Sequence, residues 1–149
     1  MAVGLDEILQ SFYSSQRFFR AHLNGMRADQ WDWKPFPACR SIREILLHWA
    51  EQFSPGQTAF QAAMQAPTPD VAVLQRLMKE AGVRFAEAYR EKYAETPMDA
   101  PFSNGTPVGT VLAGFSGEDN YHAGQIAFIR LATDPDWDWV KAVHQTAEG

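Results

Sequence analysis

The stretch SIREILLHWAEQF, residues 41–53, decides the fold class. Ser41 followed three residues later by Glu44 is a capping box, in which the two side chains satisfy backbone N–H groups left free where a helix begins. Behind that start, Ile42, Ile45, Leu46, Trp49 and Phe53 recur at helical spacing, so one face of the helix is apolar and reads as buried. His48 stands beside Ile45 and Trp49, at the edge of that face.

The same period extends in both directions. Upstream, Leu5, Ile8, Leu9, Phe12, Phe19 and Leu23 form one stripe over about 5–23. Asn24-Gly25 closes it, because glycine tolerates the left-handed conformation just past a helix end. Residues 26–40 (MRADQWDWKPFPACR) hold two prolines and no long period. This segment reads as an ordered crossover loop whose Trp31, Trp33 and Phe36 pack back onto the helices. Ser54-Pro55-Gly56 kinks or ends the helix that starts at Ser41, although FQAAMQA regains helical propensity before Pro67. Val71, Leu74, Leu77, Met78, Ala81, Phe85, Ala88 and Tyr89 predict a third helix over about 70–93. The Pro-, Gly-, Ser- and Asn-rich run 96–109 is a loop, and a fourth helix follows over about 110–132. After Asp134-Pro135 the tail makes a short helical turn or lies on the surface. With no alternating strand pattern and no repeat, the expectation is all-α: a four-helix bundle in one domain (1–149), with 133–149 as a C-terminal tail.

Bulk properties narrow the function. The chain has 149 residues, 46% of them apolar, including 10 Phe and 5 Trp, which is enough for a packed core. A formal charge of −5 without any dense Lys/Arg run argues against a nucleic-acid surface or a polybasic membrane anchor. The start MAVGLDEILQ lacks the basic beginning and long apolar stretch of a signal peptide, and no apolar segment is long enough to span a bilayer. One cysteine, Cys39, forbids an intramolecular disulfide and suits a reducing cytoplasm. The glycine-rich phosphate and dinucleotide loops and the G-x-S-x-G elbow are absent, so their chemistries have no support.

Chemistry-bearing residues concentrate in EDNYHAGQIAFIR, residues 118–130. Glu118 and His122 lie four apart and so share a helical face with Phe115, Gln125 and Ile129. If that face points inward, a carboxylate there needs a cation, a charge partner or a hydrogen bond. His48 offers the other half, because facing helices of a bundle can surround one ion, and two histidines with one carboxylate leave coordination positions open. The same spacing also describes an exposed ion pair worth about 0.3–0.5 kcal/mol. Of the remaining candidates, His22 reads as a favourable cation at a helix C-terminus and His144 as part of the tail. Cys39 has no histidine near it in sequence, which speaks against a nucleophile.

Two segments together resemble the DinB-like superfamily. WDWKP (31–35) followed by SIREILLHWAEQ (41–52) is similar to its second-helix region. EDNYHAGQIAFIR is similar to its fourth-helix signature, in which a histidine is followed by any residue and then Gly-Gln. The resemblance implies an up-up-down-down four-helix bundle, often a homodimer, with a divalent metal near one end. Some relatives are metal-dependent thiol-S-transferases or mycothiol-dependent isomerases. The usual ligands are three histidines; here His48 and His122 match, and Glu118 stands where the third is usual. The departure reads two ways: a glutamate ligand that keeps the site and adds a negative charge, which favours harder metals, or a decayed site in which Glu118 only hydrogen-bonds His122 or solvent. The resemblance thus implies zinc or nickel, with iron or manganese as alternatives, held by His48, Glu118 and His122. It also implies thiol-transfer or hydrolase chemistry on a small molecule. Gln125 would support His122 or pack between helices. The rival expectation is a non-catalytic bundle: a module holding an apolar ligand against the aromatics of 31–36, or a dimeric scaffold with a degenerate metal site.

Overall fold

The computed structural model describes residues 3–54 and 56–145. Local chemistry sets the elements as the periodicity predicts. Helix α1 is Leu5–Ala21, α2 is Ile42–Phe53, α3 is Thr58–Met64, α4 is Val71–Tyr93 and α5 is Val108–Thr133. A 3₁₀ turn at Ala28–Gln30 and a π-helical turn at Lys141–Gln145 complete the described residues, which contain no strand. None of these helices is long and apolar enough to cross a membrane.

The start of α2 bears out the capping box. Ser41 Oγ accepts from the Glu44 N–H at 3.2 Å, and the Glu44 carboxylate accepts from the Ser41 N–H at 2.8 Å. Asp70 caps α4 in the same manner, accepting from the Val73 N–H. The regained propensity of FQAAMQA becomes a separate short helix, α3, with Phe60 and Met64 buried. Pro55 and residues 146–149 lie outside the described residues.

The core forms where the apolar stripes of α1, α2, α4 and α5 meet. Phe12, Phe53, Phe85 and Phe115 make a chain of tilted and edge-on ring contacts, with Phe85 and Phe115 centroids 4.8 Å apart. A smaller cluster, Ile8, Tyr93, Val108 and Leu112, closes the end where α1 begins. The helix α5 is apolar nearly all round. One side is buried through Leu112, Ala123, Ile126 and Ile129, while Tyr121, Phe128 and Leu131 remain exposed.

The crossover is ordered by polar ties. Trp31 is fully buried and Trp33 packs partly, but Phe36 is 57% exposed, which corrects the expectation that all three pack inward. The prolines on either side of Phe36 hold it in a surface turn. Arg43 on α2 clamps the loop: its guanidinium donates to the Asp32 carboxylate and to the backbone carbonyls of Met64, Ala66 and Pro67. Gly25 has φ +66°, the left-handed stop that Asn24-Gly25 predicts. That turn is held by Arg130, which donates to the carbonyls of His22, Asn24 and Gly25 and lies 4.2 Å above the Trp137 ring. Burial lowers the Arg130 guanidinium to about 10, so it remains charged at neutral pH.

His22 departs from its expectation. It is 3% exposed, and its Nδ1 pairs with the Phe18 carbonyl at 2.8 Å. Burial, the main cause, pushes its pKa below the usual range, so the ring is neutral rather than a cation at a helix end. The tail makes a helical turn in which His144 meets the Phe18 and Trp139 rings.

Replacing Arg130 by Met removes three carbonyl partners at once while keeping side-chain bulk. The expected loss is roughly 3 kcal/mol. For a chain of this size that corresponds to a fall of about 6–12 °C in Tm by thermal circular dichroism. A shift under about 2 °C would show that the clamp is dispensable.

Candidate functional site

Helix α5 carries two acids in succession, and the structure separates their roles. Glu118 points partly to solvent, its side chain 50% exposed, so it is not the inward carboxylate that the shared face with His122 suggests. The next residue, Asp119, has no exposed surface. One Asp119 carboxylate oxygen accepts from Gln16 Nε2 at 2.7 Å and from Ser15 Oγ at 3.3 Å. The other accepts from Trp49 Nε1 at 3.1 Å. A single carboxylate therefore joins α1, α2 and α5. Burial pushes it up to about 7, against the pull of the Gln16, Trp49 and Ser15 hydrogen bonds and the charge of Arg20. Gly82 on α4 leaves room for this arrangement, since a Cβ there would lie 2.8 Å from Gln16 Oε1.

Sequence reasoning missed Asp119 because spacings of three and four both share a helical face. The four-residue pair with His122 drew the reading to Glu118. The available signal was the polar Ser15-Gln16 pair inside the apolar stripe of the first helix, which needs a partner once buried.

His122 is 2% exposed. Its Nδ1 donates to Gln125 Oε1 at 2.8 Å, since an amide oxygen only accepts, and Nε2 is the ring nitrogen turned toward Glu118. Nε2 faces the Glu118 carboxylate at 3.8 Å. A lone pair and a carboxylate facing each other repel unless a proton or a cation lies between them. Across the seam, the His48 ring centroid on α2 is 5.5 Å from that of His122, the rings edge to face. His48 is 40% exposed in its side chain, and its Nδ1 lies 3.5 Å from a carboxylate oxygen of Glu51, an acid one turn further along α2. His122 thus lies beside His48 across the α2/α5 seam and beside Glu118 on its own helix, and Glu51 lies beside His48. Among the described residues, no three His, Cys, Asp or Glu groups already stand in an arrangement that could hold a metal ion. Cys39 stands apart, a free and partly exposed thiol on the crossover.

Comparison of the chain with protein-family models, with curated proteins and with solved structures finds no match in any of the three.

The buried carboxylate has a pH signature. Its folded pKa, about 7, is above the ordinary value of 3.8, so the folded state holds a proton that the unfolded state has lost across that interval. The stability contributed by this group is complete below about pH 4 and is lost as pH rises through 7. Asp119→Asn cannot titrate. The difference in unfolding free energy between wild type and D119N, measured in chelator by urea denaturation, should fall by at most roughly 4 kcal/mol between pH 4 and pH 8. A flat difference would mean that Asp119 is solvated in solution.

Proposed function

We propose that the chain is a DinB-like bundle whose α2/α5 seam binds one divalent metal ion through His48, Glu118 and His122. The observation that carries this reading is the polarity of His122. Its Nδ1–H is committed to Gln125, which leaves Nε2 toward the Glu118 carboxylate with the His48 ring across the seam, and a divalent cation among these groups would satisfy all three. The donor set suits the purpose: neutral imidazole and carboxylate ligate zinc, nickel, iron and manganese. Gln125 does for His122 what outer-shell carbonyls do for metal-bound histidines, fixing the tautomer and the ring plane.

The three donors differ in freedom. His122 is held by burial and by Gln125, whereas the side chains of His48 and Glu118 are about half exposed. When bound, a divalent ion at such a site acts as a Lewis acid, lowering the pKa of a bound water or thiol. The reaction class that follows is thiol transfer or hydrolysis on a small molecule. The same resemblance adds a homodimer, and the single cysteine fits a reducing cytoplasm.

Protein purified without a His-tag and dialysed against zinc or nickel should hold close to one ion per chain by elemental analysis. Chelation should lower its Tm, because the ion binds only the folded chain. Gln125→Leu should weaken metal affinity by about 10–100-fold while keeping the stoichiometry. The double variant H48A/H122A should lose binding altogether. Less than a tenth of an ion per chain with all four metals, or unaltered binding by the double variant, would remove the reading.

A further inference from the structure

One turn along the same seam from the two histidines, the surface opens into a groove of about 450 Å³. Its walls come from Ile45 on α2, Tyr121, Phe128 and Ile129 on α5, and Pro35 from the crossover. Gly124 lies among them, and a Cβ built on it meets nothing within 4 Å. The polar residues that line the groove are few: Asn120, Gln125, Cys39 and Arg40. No acid lines it.

That composition is selective. In a chain of net charge −5, the one formal charge on this groove is positive. Arg27 and Arg43 are committed to Asp29, Asp134 and Asp32, whereas Arg40 makes no ion pair among the described residues. The aromatic walls are unusually exposed for their size, Tyr121 at 63% and Phe128 at 60%, so an apolar body lying between them removes surface that water now wets. A concave apolar site with a few convergent polar groups is the usual form of a small-molecule pocket, and this volume falls in its range.

We propose that the groove between the crossover and α5 binds a small apolar monoanion, an aryl sulfonate or medium-chain carboxylate, with its body against Tyr121, Gly124 and Phe128 and its anionic head on Arg40. This assignment goes beyond the metal reading and does not depend on it. Charge favours this occupant over a neutral apolar ligand, because an anionic head gains a charge-assisted pairing with Arg40 that a neutral head lacks. The concave shape favours it over a second copy of the chain.

The glycine provides the test. Gly124→Leu places a side chain in the groove from a position whose Cβ meets open space, and leucine is the better helix former, so the variant should melt no lower than wild type. Gly114→Leu, on α5 outside the groove and equally free of neighbours, is the control. In excess chelator, 1-anilino-8-naphthalenesulfonate should bind wild type and G114L saturably at one site per chain, and decanoate should displace it. G124L should lose at least about tenfold in affinity for both. Arg40→Glu should weaken both anions about tenfold while leaving decan-1-ol unchanged. Equal binding by G124L, or decanol binding as tightly as decanoate with no effect of R40E, would overturn the proposal. So would sedimentation showing a wild-type dimer that G124L converts to monomer in the absence of anion binding, which would assign the groove to a second copy. Because the chelator removes any metal, none of these outcomes bears on the ligand set at His48, Glu118 and His122.

Discussion

A carboxylate with no exposed surface sits where α1, α2 and α5 converge, and the geometry of the bundle follows from the need to satisfy it. Asp119 accepts from Ser15 and Gln16 on one neighbour and from the Trp49 indole on another. Each partner is itself buried, so none can be exchanged for water without opening the core. The apolar stripes bring the helices together, but apolar contact is non-directional and tolerates a range of rotations. Three directed hydrogen bonds to one residue restrict that range. They fix how α5 is turned about its axis, and hence which of its side chains look toward α2.

That rotation explains the candidate site. With Asp119 inward, the residue before it lies at the boundary between core and solvent, and the residue three positions on is buried. Glu118 is therefore half-exposed, His122 is enclosed, and the imidazole meets the Glu118 carboxylate from the inner side. His48 reaches the same place because Trp49, its neighbour, is the group that donates to Asp119. The element that orders the core and the element that carries the candidate chemistry are thus consecutive residues on both helices. The groove beside them has the same origin. Turning α5 in this way leaves Tyr121, Gly124 and Phe128 on the outer face, against a crossover that Arg43 holds in place.

Arg130 plays the corresponding part at the other end of α5. A helix that stops at a left-handed glycine leaves carbonyls without intrahelical partners. Three carbonyls of the 22–25 turn find theirs on this guanidinium. The charge is tolerated in a buried position because its donors are used and Trp137 covers its face, although one donor, Nε, has no partner among the described residues.

The sequence by itself determined the helices. Capping at Ser41, the stop at Asn24-Gly25 and the apolar periods are local features, set by residues a few positions apart, and each reappears in the structure near the expected boundary. It also singled out His48, Glu118 and His122, since helical spacing is a local property as well. Only the tertiary structure decided which acid of the Glu118-Asp119 pair is buried. Spacing assigns both to neighbouring directions on one helix, and the choice rests on Ser15, Gln16 and Trp49, which lie about 70 to 104 residues away in the chain. The neutral state of His22, the exposure of Phe36 and the approach of Glu51 to His48 were hidden for the same reason. Burial and charge at a residue are set by what other elements place against it, and no local pattern records that.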